Sequence, residues 1–97
     1  MNYFDMFFEM ARWSLLSNHG RALCCLAQDP DLRLRDLAAR LGITERRAFD
    51  LVNDLTEAGY VIKEKDGRRN TYRVQGHLPL PDAPDDRTLG DILAALI

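Results

Sequence analysis

The side chains best placed to do chemistry in this chain are cations. Lys65, Arg68 and Arg69 crowd around Asp66-Gly67, with Asn70 beside them. Arg46 and Arg47 follow Thr44-Glu45, and Arg33 and Arg35 flank Leu34. A guanidinium keeps its charge at every working pH and offers a fork of donors that fits phosphate oxygens, so such clusters suit polyanion binding. Other reactive types lack partners at useful spacing. Cys24 and Cys25 are adjacent, and neighbours on a helix point about 100° apart, so they build no disulfide framework. A thiol sensor, or a metal site completed by His19 and His77, is the sharp reading of that pair; small buried hydrophobes in a core helix is the plain one. Asp82, Asp85 and Asp86 sit among prolines and read as a solvated linker. With no phosphate-cradling glycine loop, zinc-finger spacing or nucleophile elbow, the sequence predicts no enzyme, no cofactor and no metal ligand.

The cations matter because of where they lie. The 97 residues carry a net charge of −2 and a pI near 5.6. Residues 1–32 sum to −2, residues 33–73 to +3 and residues 74–97 to −3. A basic middle third between acidic ends supplies the local field that draws in a phosphate backbone, although the acidic total argues against indiscriminate nucleic-acid binding.

The elements that must position these groups follow from apolar spacing and caps. Ser17 is an N-cap for a helix over 18–28 burying Ala22, Leu23, Cys25 and Leu26, stopped by Asp29-Pro30. A helix over 35–41 carries Leu34, Leu37, Ala38 and Leu41 at i, i+3, i+4 and i+7, closed by Gly42. Thr44 caps a third helix over 45–58 that buries Ala48, Leu51, Val52 and Leu55. Alternation over 60–65, an Asp66-Gly67 turn and a return over 70–74 predict a β-hairpin tipped by Lys65, Arg68, Arg69 and Asn70. Trp13, Tyr60 and Tyr72 read as packing residues rather than base-stacking platforms. Residues 76–87 read as an irregular linker, and Thr88 to Asp91 as a capping box opening a short closing helix.

Two helices joined by a short Gly-containing turn and followed by a basic hairpin make a winged helix-turn-helix. Such a fold presents the N-terminal part of its second helix to base edges in a major groove about 12 Å wide. The string LRLRDLAARLGITERRAFDLVNDLTEAGYVIKEKDGRRNTYRV at 32–74, with WSLLSNHGRALCCLA at 13–27 before it, resembles the winged-helix regulators of the MarR/ArsR type. The resemblance implies base reading by Glu45, Arg46, Phe49, Asp50 and Asn53, with Thr44 at a phosphate by the helix start. Phe49 and Asp50 depart from the polar or basic residues often found there. Asn18 and His19 lie at a helix start resembling one that contacts the DNA backbone. Arg35, Arg46 and Arg47, with Lys65, Arg68, Arg69 and Asn70 on the wing, complete the expected DNA contacts.

The ends carry a second signal. Phe4, Phe7 and Phe8 share one face of a helix predicted over 3–16, and Leu89, Ile92, Leu93 and Leu96 stripe the closing helix. Neither stripe is stable in water unless it docks. Docking across a twofold axis predicts a homodimer with two reading helices about one DNA turn apart; the alternative is that both ends fold back on their own domain. The expectation is thus one domain over 1–97, mainly α with a small β-hairpin. Its winged core spans 13–75, its wing 60–74, and extra terminal helices cover 1–12 and 87–97. The expected role is a cytoplasmic, dimeric regulator of double-stranded DNA with no membrane segment. Any effector, small molecule or protein, is unnamed by the sequence and would use the dimer interface. The rival reading keeps the fold but turns the recognition helix toward a protein partner.

Overall fold

The computed structural model describes residues 15–80 and 83–96. Helix α1, Asn18–Gln28, starts where Ser17 Oγ accepts the Gly20 amide at 3.2 Å, satisfying one of the donors a helix start leaves open. It ends at Asp29, before Pro30, whose ring disfavours the helical conformation in the residue ahead of it. Helix α2, Leu34–Leu41, begins one residue before the 35–41 expected from the sequence. Gly42 closes it at φ 70°, in the left-handed region open to glycine. The Ile43 amide then reaches back to the Ala38 carbonyl at 3.0 Å, and the chain turns. Helix α3, Glu45–Glu57, begins at Thr44, whose Oγ1 accepts the Arg47 amide at 3.1 Å.

These three helices converge on one core. Ala22, Leu26, Leu37, Ala48, Leu51 and Val61 are essentially sealed from solvent, and Leu23, Leu41, Val52 and Leu55 close the edges. Small Ala22 and Ala48 let the helix axes approach, while the leucines fill the space between them.

The hairpin follows directly. Strand β1, Val61–Asp66, pairs antiparallel with β2, Arg69–Val74, in a register that sets Val61 opposite Val74, Lys65 opposite Asn70 and Asp66 opposite Arg69. Gly67 at φ 65° takes the first central position of the two-residue turn, with Arg68 beside it. A two-stranded ribbon is marginal alone, and this one is pinned at several points. The Gln75 amide donates to the Tyr60 carbonyl and its Nε2 to the Gly59 carbonyl, both at 2.8 Å. The Tyr72 amide donates to the Pro30 carbonyl at 3.2 Å, and the Arg69 guanidinium donates to the Asp31 carbonyl. The loop between α1 and α2 is thereby fastened to β2.

The segment read as an irregular linker is organised. Residues 78–80 run against 87–89, with Pro79 bridged to Thr88 and the Leu89 amide bonded to the Leu78 carbonyl at 2.8 Å. The expected capping box is present: the Thr88 amide donates to Asp91 Oδ2 at 3.0 Å and the Asp91 amide to Thr88 Oγ1 at 3.2 Å. The backbone and hydroxyl hydrogen bonds from Thr88 hold the Asp91 carboxyl below its ordinary range. Helix α4, Leu89–Leu96, packs against α1.

That packing corrects part of the expected dimer face. Leu89 and Leu93 are 3% and 7% exposed and belong to this chain's own core, so they are unavailable to a second copy. Ile92 is half-buried and Leu96 is exposed. Phe4, Phe7 and Phe8, and most of the helix expected over 3–16, lie outside the described residues; Leu15 and Leu16 form a bend rather than helix.

Gly76 and Gly90 meet backbone to backbone, the Gly90 amide donating to the Gly76 carbonyl at 2.7 Å. A Cβ on Gly90 would stand 3.0 Å from that carbonyl oxygen. Gly90→Ala is therefore expected to push α4 off α1 and cost about 1–3 kcal/mol, the usual penalty of overpacking. Urea unfolding followed by circular dichroism measures it, with Ala94→Gly on the exposed side as a propensity control at about 1 kcal/mol.

Candidate nucleic-acid interface

The outward side of α3 carries the residues expected to read bases. Glu45, Arg46, Arg47, Phe49 and Asn53 are exposed and Asp50 is half-buried, because the stripe Ala48, Leu51, Val52 and Leu55 holds the opposite side in the core. Three of these residues form one group. Arg46 Nε lies 3.5 Å from Asp50 Oδ1, one helical turn on, and its guanidinium sits 5.8 Å above the Phe49 ring. Asp50 thus steadies an arginine on the helix, and Phe49 supplies an aromatic face for it. That arrangement accounts for two residue types that looked out of place on a DNA-reading helix.

Arg47 is the complementary case. It has no ion pair among the described residues, and neither do Arg33, Arg35, Lys63, Lys65 or Arg68. Arg40, Arg46, Arg73 and Arg87 are each matched to a carboxylate of Asp29, Asp50, Glu64 and Asp85. The unmatched cations concentrate at the starts of α2 and α3 and along the wing. Asp36, Glu45 and Asp66 lie among them, so the local excess of positive charge is moderate, and a polyanion would be attracted to it.

The start of α1 is less free than expected. Asn18 Oδ1 accepts from Arg21 Nη1 at 3.2 Å, and His19 Nε2 lies 2.8 Å from Asp54 Oδ2. The second contact ties α1 directly to the outer side of α3. Thr44 spends an oxygen lone pair on its cap, which leaves its hydroxyl proton available to donate.

Arg21 is the residue sequence reasoning missed. It is 3% exposed, and its Nη1 also donates to the Leu41 carbonyl at 3.4 Å. Leu41 is the last residue of α2, where helix carbonyls lack intrahelical partners and the dipole is negative. A buried cation there joins α1 to the turn that aims α3. Its position beside Ala22 on the buried stripe was the one available signal, and charge alone argued for the surface.

On the wing, Lys65 and Arg68 are exposed, Asn70 is half-buried, and Arg69 is held to the α1–α2 loop through Asp31. The expected quartet is thus divided between two free cations at the tip and two residues facing inward toward α2. Arg33, Leu34, Arg68, Arg69, Asn70 and Tyr72 line an open cleft of about 480 Å³ between the wing and the start of α2. Cys24 and Cys25 are half-buried against the core. Burial, and secondarily Cys25, push the Cys24 thiol above its usual range, which lowers the thiolate fraction a redox sensor needs. No group of three metal-ligating side chains occurs among the described residues.

With this geometry in place, comparison with known proteins is informative. Residues 15–62 match a winged helix-turn-helix DNA-binding family; the match runs from the start of α1 through α2 and α3 into β1. No curated protein matches the chain. No helix of the described residues is long and apolar enough to cross a membrane.

The Arg21 contact generates a test. Arg21→Met keeps the aliphatic length but removes the donors to Leu41 and Asn18, and is expected to destabilise the fold by about 1–3 kcal/mol. Arg35→Met, on the exposed side of α2, is expected to change stability by no more than about 0.5 kcal/mol. Chemical denaturation of both variants checks the difference.

Proposed function

We propose that this winged helix-turn-helix DNA-binding domain reads double-stranded DNA as a sequence-specific transcriptional regulator of the MarR/ArsR kind. In this reading α3 enters the major groove. Asn53, Glu45 and Arg46 meet base edges, and Phe49 offers an apolar contact to a thymine methyl. Arg47, Thr44 and Arg35 take backbone phosphates, and Lys65 and Arg68 reach phosphates or the minor groove from the wing tip. The observation that carries it is the set of cations without an ion pair among the described residues, Arg33, Arg35 and Arg47 at the helix starts and Lys65 and Arg68 at the wing tip, beside which Arg46 and Arg73 are matched to carboxylates.

A twofold assembly belongs to the same reading. Leu15 is 79% exposed and Leu96 46% exposed, and the sequence carries the apolar residues Phe4, Phe7 and Phe8, which lie outside the described residues. A dimer through the termini would set two α3 helices on a palindromic site. A regulator of this kind works in the cytoplasm. The rival, a protein-binding use of α3, is favoured by exposed Phe49, by Asp50 and Asp54 on the same helix and by the acidic pI.

The test is a titration against duplex DNA at several salt concentrations, with mass measured on the same sample. Expected is binding that weakens steeply with salt, from a species of twice the chain mass. Replacing Lys65 and Arg68 with alanine should reduce the salt slope by about 0.9 for each phosphate left unneutralised, and weaken all sequences alike. Asn53→Ala should instead cost about 1–3 kcal/mol on the preferred site and flatten preference among sites. Duplex binding that ignores salt, or none at low salt, would overturn the reading in favour of the protein partner.

A further inference from the structure

Arg46 and Arg47 are neighbours at the start of α3 and sit in different surroundings. Arg47 has no ion pair among the described residues. Arg46 holds its Nε 3.5 Å from Asp50 Oδ1 and its guanidinium 5.8 Å from the centre of the Phe49 ring. A phosphate contact needs positive charge and little else, and a carboxylate one helical turn away subtracts from that charge. Asp50 therefore makes Arg46 the poorer of the two arginines for the DNA backbone. What the pair retains is direction. With Nε turned to Asp50, the two Nη groups are left as an outward fork of N–H donors. Such a fork fits two acceptors side by side, and guanine is the base whose major-groove edge offers O6 and N7 together.

Phe49 narrows the reading. At 40% exposure it is the one apolar side chain exposed on α3, whose core side is filled by Ala48, Leu51, Val52 and Leu55. The apolar group that a major groove presents is the 5-methyl of a pyrimidine. The ring centre lies 5.8 Å from the guanidinium, a separation that spans neighbouring base pairs stacked about 3.4 Å apart. Fork and ring can therefore address adjoining pairs at once.

We infer that Asp50, Arg46 and Phe49 act as one unit that reads a guanine adjoining a 5-methylpyrimidine in the major groove. Arg46 donates to guanine O6 and N7, and Phe49 covers the methyl group of the neighbouring base. Asp50 is a positioning residue: it holds the guanidinium toward the base, where an arginine without it would settle on the nearest phosphate. The methyl group comes from thymine or from methylated cytosine, and its contact with the ring is the same in both. The inference rests on the duplex reading above and adds to it the base step that α3 prefers. Asp50 then has a use on a DNA-binding helix, since it weakens binding to every sequence but weakens the wrong ones most.

The test begins with affinity selection by the full chain from a duplex pool randomised over its central segment. Selected duplexes are expected to share a guanine with thymine beside it; selected sites without that pair overturn the inference. In a selected duplex, deoxyuridine in place of the thymine removes the methyl group alone. Binding is expected to weaken about fourfold for the unsubstituted chain, and by less than about twofold for Phe49→Ala. 5-Methylcytosine and cytosine at the same position, each paired with guanine, repeat the comparison for the other source of the methyl group. A methyl effect on thymine alone assigns the contact to thymine, and tighter binding to 5-methylcytosine assigns it to methylated DNA. Asp50→Ala should move two quantities in opposite directions. Random duplex is bound more tightly because a negative charge has gone, while preference for guanine over adenine at the read position falls at least about fivefold. Thymine and deoxyuridine bound alike, or a methyl effect undiminished in Phe49→Ala, would overturn the inference and leave salt-dependent duplex binding standing. No duplex bound at any salt concentration overturns the DNA reading and the inference together.

Discussion

The geometry of the molecule turns on the C-terminal end of α2. Four helix carbonyls lose their intrahelical partners there, beside the buried Ala38 and Leu41. Gly42 adopts a left-handed conformation so that the amides of Gly42 and Ile43 fold back on Ala39 and Ala38. Arg21, arriving from α1, covers the Leu41 carbonyl. One end of one short helix is thereby satisfied by two other segments, and the direction in which the chain leaves it fixes the start of α3. Every outward side chain of α3 inherits its position from that turn. The His19–Asp54 contact at 2.8 Å braces the same arrangement from outside, so α1 holds α3 at the turn and again along its outer side.

Charge is distributed on a second principle. An acidic chain can bind a polyanion only if its carboxylates are kept occupied or kept away. Asp29, Asp50, Glu64 and Asp85 each face an arginine within 4 Å, and Asp91 is absorbed into a helix cap. Exposed pairs like these add little stability. Their effect is to mask negative charge, leaving Arg33, Arg35, Arg47, Lys65 and Arg68 to outnumber Asp36, Glu45 and Asp66 around the wing and the helix starts. The basic middle third visible in the sequence is sharpened in this way: pairing removes both signs in equal number, and what survives is the excess.

Much of this was legible before any coordinates, and the reason is that caps and turns are local. Ser17, Thr44, Gly42 and the Thr88–Asp91 pair act on backbone groups within a few residues, so the order of residues along the chain suffices to find them. The fold class, the wing and the bounds of α1 and α3 follow from such signals. What was hidden depends on neighbours distant in sequence. Nothing in the string near residue 21 says that an arginine will meet a carbonyl 20 positions later. Nothing near residue 76 says that a glycine there answers one at 90. The stripe on α4 was visible, but whether it faced its own domain or a second copy was not, because hydrophobicity has no address. Leu89 and Leu93 turn inward because the 76–87 segment doubles back and delivers α4 onto α1.

The wing shows how one attachment serves structure and binding together. A two-stranded ribbon needs further contacts to hold its shape, and it finds them in Pro30, Asp31, Gly59 and Tyr60. Those contacts all fall on the root and on the β2 edge, so the Gly67-Arg68 tip stays clear of the body. Pinning β2 to the α1–α2 loop also sets the distance between the wing and the start of α2, and the space left between them is the cleft. With its guanidinium committed to the Asp31 carbonyl, Arg69 closes the inner side of that space. Arg68, its neighbour in sequence, keeps its charge unmatched at the cleft's outer rim. The register explains the split, since Arg69 is the first paired residue of β2 while Arg68 belongs to the turn and has no cross-strand partner to fix it. Two consecutive arginines, indistinguishable in the sequence, therefore take different work: one fastens the wing and the other is left free to bind.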